Sequence, residues 1–460
     1  MAEDQGKSRQ RYVLIFLLFL HTVNTYMDRV CISAAGNSIQ DDLDISDQMM
    51  GTVFGIFAVG YALFQIPAGW FADRFGPRRA LAWVVILWST FTALTGAAWN
   101  GISMLVIRFL FGAGEAGAFP GATRAFYGWL PANERGFAQG IFHSGARVGA
   151  AVSLFLMPLL ISWIGWRWTF VANGVAGVIW GVAWLWWFRD DPAEHRFVNG
   201  AELQYIRQGM EAESGPSSEI SFIQIVTSAN MLLAMFQYVA SNVTFFISFT
   251  WLLPYLAKRW GEGAVMLAPI PLIFGMLAQW TAAAVITWLY AKGFPVASRR
   301  VPAMAGFLVG ALGLVLCTVV PAGSALAFVL CFGVAVFGVE MTISPSWAFC
   351  MDVGGDRSGA VSGAMNMLGN LGAAMSAILF PWFVHHVTLP VLAPAAGTAN
   401  SFFAFAAVLN LTGAAAWLLM DPKRKLSDVA SSRRALAKIF LFVVLVVLVV
   451  AALLYTQFFL

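Results

Sequence analysis

The chain has 460 residues, 60% hydrophobic and 11% charged, with a formal net charge of +4. A soluble domain carries about 25% charged residues, so this composition excludes a water-facing enzyme, a nucleic-acid binder and a disordered scaffold. It implies an all-α polytopic membrane protein. Cys31, Cys317, Cys331 and Cys350 fall in or beside apolar runs without C-x-x-C spacing, which implies free buried thiols, no metal site and no cofactor.

A helix needs about 20 mainly apolar residues to cross the hydrocarbon core. In chain order, such helices are expected near 12–35, 48–71, 80–98, 101–122, 137–161 and 168–188. After a polar stretch they resume near 229–256, 264–290, 301–321, 324–349, 358–386 and 399–420. The expected organisation is a six-helix bundle over 1–188, a cytoplasmic linker over 189–225 and a second six-helix bundle over 226–420. A basic cytoplasmic segment, 421–438, then leads to an additional transmembrane helix, 439–460. That last run holds no charge after Lys438 and reads as an anchor or packing helix. Cleaving 12–35 as a signal peptide would leave an odd first half, so it reads as a retained span.

The basic residues set the orientation. With a cytoplasmic N-terminus, 21 of the 27 Lys and Arg fall in cytoplasmic segments and 3 in outer loops. This asymmetry is the positive-inside pattern. The first outer loop carries Asp41, Asp42, Asp44 and Asp47 and no base.

Two halves of six around a polar loop suggest a duplication, and a faint echo supports it. Glu134-Arg135 is followed by Gly140, His143, Arg147 and Gly149; Asp356-Arg357 is followed by Gly363, Asn366, Asn370 and Gly372. Between the second and third spans runs Gly69-Trp70-Phe71-Ala72-Asp73-Arg74-Phe75-Gly76-Pro77-Arg78-Arg79. Gly69 permits close helix approach, Gly76-Pro77 makes a tight turn, and Asp73 pairs with an arginine or caps a helix end. This string resembles the signature loop of the major facilitator superfamily. The resemblance implies that Gly69, Asp73, Arg74, Gly76, Arg78 and Arg79 serve gating. It also implies two six-helix halves rocking about a central site near the midplane. The equivalent loop 291–300 keeps Gly293 and Arg299-Arg300 but lacks the acid.

Charges within the spans are functional candidates by default, each costing about 2.5–3.5 kcal/mol at the bilayer centre. They are Asp28, Glu115 and Glu340, with Arg29, Arg108 and Arg147. Arg108 and Glu115 are two helical turns apart and share a face. The small residues of Gly112-Ala113-Gly114 leave room for a neighbouring helix or a ligand. These charges read either as a binding site or as ion pairs that hold the bundle together.

Tyr26-Met27-Asp28-Arg29, Tyr61 with Gln65-Ile66-Pro67, and Arg108 with Glu115 resemble the anion:cation symporter family. That family includes bacterial transporters of galactonate, glucarate and hexuronates, and it is related to sialin and the vesicular glutamate transporters. The resemblance runs from residue 12 to about 420. It implies that Arg29 and Arg108 bind the substrate carboxylate, a task suited to the guanidinium fork. Tyr26 and Tyr61 would join them at the substrate, and Asp28 and Glu115 would be the proton-coupling acids. In the second half, Ser344-Pro345-Ser346-Trp347, Asn366 and Asn370 match the family's polar lining. Ser346, Asn366 and Asn370 would bond substrate hydroxyls, and Trp347 either stacks on a sugar face or packs. Asparagines in membrane helices are equally well interhelical bonds. Arg147, a turn from His143, adds a third cation for a dianion or else pairs with Glu340 or a backbone carbonyl. His21 and His385-His386 read as interfacial residues near helix ends.

The leading expectation is therefore a monomeric secondary transporter in the inner (plasma) membrane. It would carry a sugar-acid anion with protons as coupling ion, by alternating access. An organic-anion exchanger or aromatic-acid permease of the same superfamily stands as the alternative. Neither H-E-x-x-H nor G-x-S-x-G occurs, and the linker is too short for a catalytic domain, which argues against an enzyme.

Overall fold

A computed structural model describes residues 7–211, 220–320, 323–387 and 399–428. The expected helix over 439–460, most of the basic segment before it and residues 212–219 of the linker lie outside the described residues. The regular elements among the described residues are all helical. The chain divides into two compact units, Met1–Ser217 with Cys350–Gly363, and Ser218–Phe349 with Ala364–Leu460.

The first unit holds α1 (Gln10–Ala34), α2 (Gly36–Leu43), α3 (Asp47–Phe75), α4 (Pro77–Thr95), α5 (Gly101–Glu115), α6 (Ala118–Trp129), α7 (Ala132–Trp187) and α8 (Gly200–Glu211). Local chemistry sets their ends. Ser46 Oγ accepts from the Met49 amide at α3, and Asn100 and Ser103 form a capping box at α5. Between α3 and α4, Gly76 has φ +80° and Pro77 opens the next helix, so the turn is one residue long. The expected fifth and sixth spans are the two legs of α7, which meet at Gly165 (φ 75°). A 56-residue helix is far longer than a bilayer crossing, so the glycine is what folds it back. The fourth span is interrupted after Glu115 and restarts at Ala118 as α6. Close approach explains the small residues there: a Cβ on Gly112 would lie 2.2 Å from the Phe57 carbonyl oxygen of α3. A neighbouring helix occupies that space.

The second unit holds α9 (Phe222–Thr227), α10 (Ala229–Phe245), α11 (Ile247–Thr250), α12 (Leu252–Trp260), α13 (Ile270–Ala291), α14 (Pro295–Val319), α15 (Ala325–Met341) and α18 (Asn400–Leu419). Between α15 and α18 run α16 (Ile343–Gly354) and α17 (Ser358–His386), whose adjoining ends, Cys350–Gly363, group with the first unit. Within the second unit, α14 packs on α15 and α18, and α13 on α15.

Eight described helical runs are long and apolar enough to cross a membrane. The runs 132–187 and 325–384 are each long enough for two crossings, and α4 and the broken run α10–α12 fill the remaining expected spans. Burial is inverted relative to a soluble protein. Trp83, Trp99, Phe155 and Trp163 are exposed, while Arg108, Glu115, Gln237 and Gln279 are buried. That is the pattern of a bundle solvated by lipid. The linker is not featureless: it carries α8 and α9.

Candidate functional site

In the first unit the sequence-nominated charges converge. Arg29 of α1 donates from Nε to Glu115 Oε1 of α5 at 2.6 Å, and a second guanidinium nitrogen pairs with the same oxygen. The Arg29 guanidinium lies 4.6 Å from the Tyr61 ring centre, 5.0 Å from Tyr26 and 5.2 Å from Phe57. Arg108 stands 5.2 Å from the same Phe57 ring and 4.5 Å from Phe111. Arg147 approaches the Tyr26 ring at 5.9 Å. Aromatic rings thus carry three guanidiniums, those of buried Arg108 and Arg147 and of half-buried Arg29, and cation–π attraction offsets part of their desolvation.

Asp28 sits beside this cluster and is 1% exposed. Its Oδ2 accepts from the Trp88 indole at 3.1 Å and from Asn24 at 3.5 Å. Asp28 Oδ1, Glu115 Oε2 and Arg108 Nε are buried with no hydrogen-bond partner. Buried polar atoms left unpaired cost about 1–3 kcal/mol each. Here two are acceptors and one a donor, a set that a proton and an anion would satisfy.

The signature loop forms a second cluster in this unit. Both Asp73 oxygens cap the start of α17, accepting from the Gly359 amide at 2.9 Å and the Ala360 amide at 2.8 Å. Arg124 Nε is 3.8 Å from Asp73, so the carboxylate combines capping and ion pairing. A Cβ on Gly69 would lie 2.4 Å from the Gly359 carbonyl oxygen, which accounts for glycine there. Arg78 donates to the Leu185 carbonyl at 2.8 and 3.1 Å, and its amide to Asp190 at 2.8 Å. Arg74 lies over the Trp70 ring at 5.3 Å, and Arg79 is exposed.

The second unit's nominated residues form a buried polar network. Ser346 Oγ exchanges hydrogen bonds with Gln237, whose Oε1 also accepts from the Trp417 indole at 3.2 Å. Trp347 is fully buried, and its indole donates to the Tyr238 hydroxyl at 3.0 Å. Asn370 donates to the Asn366 carbonyl oxygen at 2.8 Å, one turn back on α17. Glu340 accepts from Gln279 Nε2 at 3.0 Å, and Gln279 Oε1 accepts from Ser344 at 2.9 Å.

Sequence reasoning missed Gln237, Tyr238 and Gln279, as well as Trp88 and Asn24 beside Asp28. An amide within an apolar helix was the available signal for the two glutamines. His21 needs correction. It is not interfacial but 1% exposed, boxed by Trp180, Trp88 and Phe142 at centroid distances of 4.7, 5.1 and 6.4 Å.

Comparison with known proteins places this geometry in context. The sequence pattern of the Major Facilitator Superfamily matches residues 15–377. The chain is 30% identical to the probable sulfoacetate transporter of Cupriavidus necator over 90% of this chain and 94% of that protein. It is 32% identical to the probable galactarate/D-glucarate transporter of Bacillus subtilis, over 82% and 87% of the two chains. The hexuronate transporter of Bacillus subtilis is 29% identical, over 79% and 85%. In fold, the chain resembles the solved proton:xylose symporter XylE with a TM-score of 0.70 at 13% identity, covering 91% of this chain and 98% of that one. The chain therefore belongs to the Major Facilitator Superfamily and is a multi-pass membrane transporter, with sugar-acid transporters among its relatives.

Proposed function

We propose that this transporter is a proton-coupled symporter of an organic anion, a sugar acid such as galactonate, glucarate or a hexuronate, working by alternating access. It acts in the inner (plasma) membrane with its N-terminus cytoplasmic. The observation that carries the reading is the pairing of half-buried Arg29 with fully buried Glu115, beside buried Arg108 and Asp28. A substrate carboxylate reaching Arg29 and Arg108 competes with Glu115 for the same guanidinium. A carboxylate deprived of its cation in low dielectric favours the protonated form. Anion binding and proton binding then support each other, and that reciprocity is the thermodynamic content of symport. Tyr26 and Tyr61, whose rings flank Arg29, border the anion. Arg147, 5.9 Å from the Tyr26 ring, adds a third cation for a dianion. In the second unit, Ser346, Asn366 and Asn370 supply polar groups for substrate hydroxyls.

Relatives named as transporters of galactarate, D-glucarate, hexuronate and sulfoacetate support an acidic substrate. The test is uptake into proteoliposomes with labelled galactonate, glucarate, glucuronate, an aromatic acid and a neutral sugar. Each is run with and without an inward proton gradient. Accumulation of a sugar acid only with the gradient is the expected result. Flux indifferent to the gradient would move the mechanism to exchange.

A further inference from the structure

His21 is a titratable group at the heart of the first unit that the reading above does not use. Neither of its ring nitrogens has a hydrogen-bond partner of good geometry, although the Ala118 backbone carbonyl faces the ring. An imidazole costs more to bury unpaired than the phenyl ring that would fill the same aromatic box, so packing alone does not explain histidine. Its position is informative. His21 and Asp28 are seven residues apart on α1, two turns on one face, about 10 Å along the axis. Both touch Trp88, one through the ring and the other through the indole N–H.

The turn between them is polar. Asn24 donates to Asp28. Ser89 Oγ is buried without a partner, and a Cβ on Gly177 would lie 2.0 Å from it and 3.2 Å from Asn24 Nδ2. Hydroxyl and amide thus crowd the same backbone point on α7, beside α1 and α4. The groups that face His21 are Trp88 on α4, the Ala118 carbonyl on α6, and Phe142 and Trp180 on α7, with Thr25 a turn on along α1. None of these is charged; the acid two turns away on the same face of α1 is Asp28.

We infer that His21 is a proton-carrying residue of this transporter, accepting the proton that Asp28 discharges and passing it toward the N-terminal end of α1. The inference rests on the proton-symport reading. The step moves one proton: an Asp28 O–H bond breaks, an imidazole N–H bond forms, and a carboxylate and an imidazolium remain. The Ala118 carbonyl accepts from the new cation, and the Trp88 and Trp180 rings attract it. Release to water on the α1 N-terminal side restores the neutral ring.

The experiment compares wild type with His21→Phe, which keeps an aromatic ring in the box, and with His21→Gln. Each is reconstituted and assayed for sugar-acid counterflow, which needs no net proton movement, and for accumulation driven by an imposed proton gradient. The inference expects accumulation to fall about tenfold or more in both variants, with counterflow within about twofold of wild type. If His21→Phe accumulates substrate as wild type does, histidine is packing and the inference is overturned. Loss of counterflow and accumulation together in both variants overturns it equally, since the defect is then structural. Failure of wild type to accumulate under the gradient refutes the symport reading beneath it.

Discussion

Glu115→Gln tests the proposal that Glu115 is the coupling acid. Gln keeps the shape of a protonated glutamate but neither releases nor takes up a proton. Removing one partner of a buried ion pair costs about 3–5 kcal/mol when nothing replaces it. Here the amide oxygen still accepts from Arg29 Nε, now a neutral bond of about 1 kcal/mol. The guanidinium also stays over Tyr61 and Tyr26, at about 0.5–2 kcal/mol. The net loss is therefore about 1–3 kcal/mol, so the variant folds. Its functional defect is larger. Each pH unit of gradient supplies about 1.4 kcal/mol per proton, or about tenfold accumulation. The variant should equilibrate labelled sugar acid across proteoliposomes and stop at equal concentrations, with counterflow preserved. Accumulation matching wild type would refute Glu115 as the coupling acid and leave it a structural partner of Arg29.

Other variants test the remaining parts. Arg108→Ala should weaken substrate binding by about 2–5 kcal/mol, measured as the loss of counterflow or of ligand-induced thermal stabilisation, and Arg108→Lys should not restore it because a bidentate fork is lost. Retained affinity would remove Arg108 from the site. Asp73→Asn loses one of the two amide bonds at the start of α17 and the charge at a helix N-terminus, a change of about 1–2 kcal/mol. Transport should slow by about five- to thirtyfold with affinity nearly unchanged; an affinity change of that size would contradict the gating role. Glu202 lies outside the membrane spans. Burial pushes its carboxyl upward, but bonds from Ser8, the Gln10 and Arg11 amides and the Arg11 guanidinium outweigh burial and hold it below the ordinary glutamate value. Its contribution is therefore complete above the ordinary glutamate range and lost as pH falls through the lowered folded value. Glu202→Gln should lower the melting temperature at neutral pH, and the difference from wild type should shrink below about pH 4. An equal difference at both pH values would rule out the ionised carboxylate as the cause.

Much of this was legible in the sequence because a membrane makes composition speak. Apolar runs of about 20 residues announce crossings, and a charge inside one needs a reason. The charges Asp28, Arg29, Arg108 and Glu115 could be nominated one by one for that cause. Gly69, Asp73, Gly76 and Pro77 could be read because each has a backbone job: close approach, a cap, a positive φ and a helix start. What stayed hidden depends on partners distant in sequence. Nothing local says that Trp88 donates to Asp28, or that Gln279 donates to Glu340. His21 looked peripheral by position in its run, yet the second leg of α7 brings Trp180 over it. The turn between the two legs was expected between 161 and 168, but that a single residue, Gly165, makes it was not, because Trp163, Ile164 and Trp166 around it are apolar. Capping and helix-breaking signals are local, whereas burial of a polar group is decided by the far side of the bundle.

The central claim is that anion and proton enter together through one pair of buried arginines and acids. Proteoliposomes loaded with a pH-sensitive dye, with no imposed gradient, test it most directly when labelled glucarate or galactonate is added outside. The account predicts acidification of the lumen that tracks substrate entry, vanishing in Glu115→Gln. Substrate entry in the wild type with no change in luminal pH would contradict it.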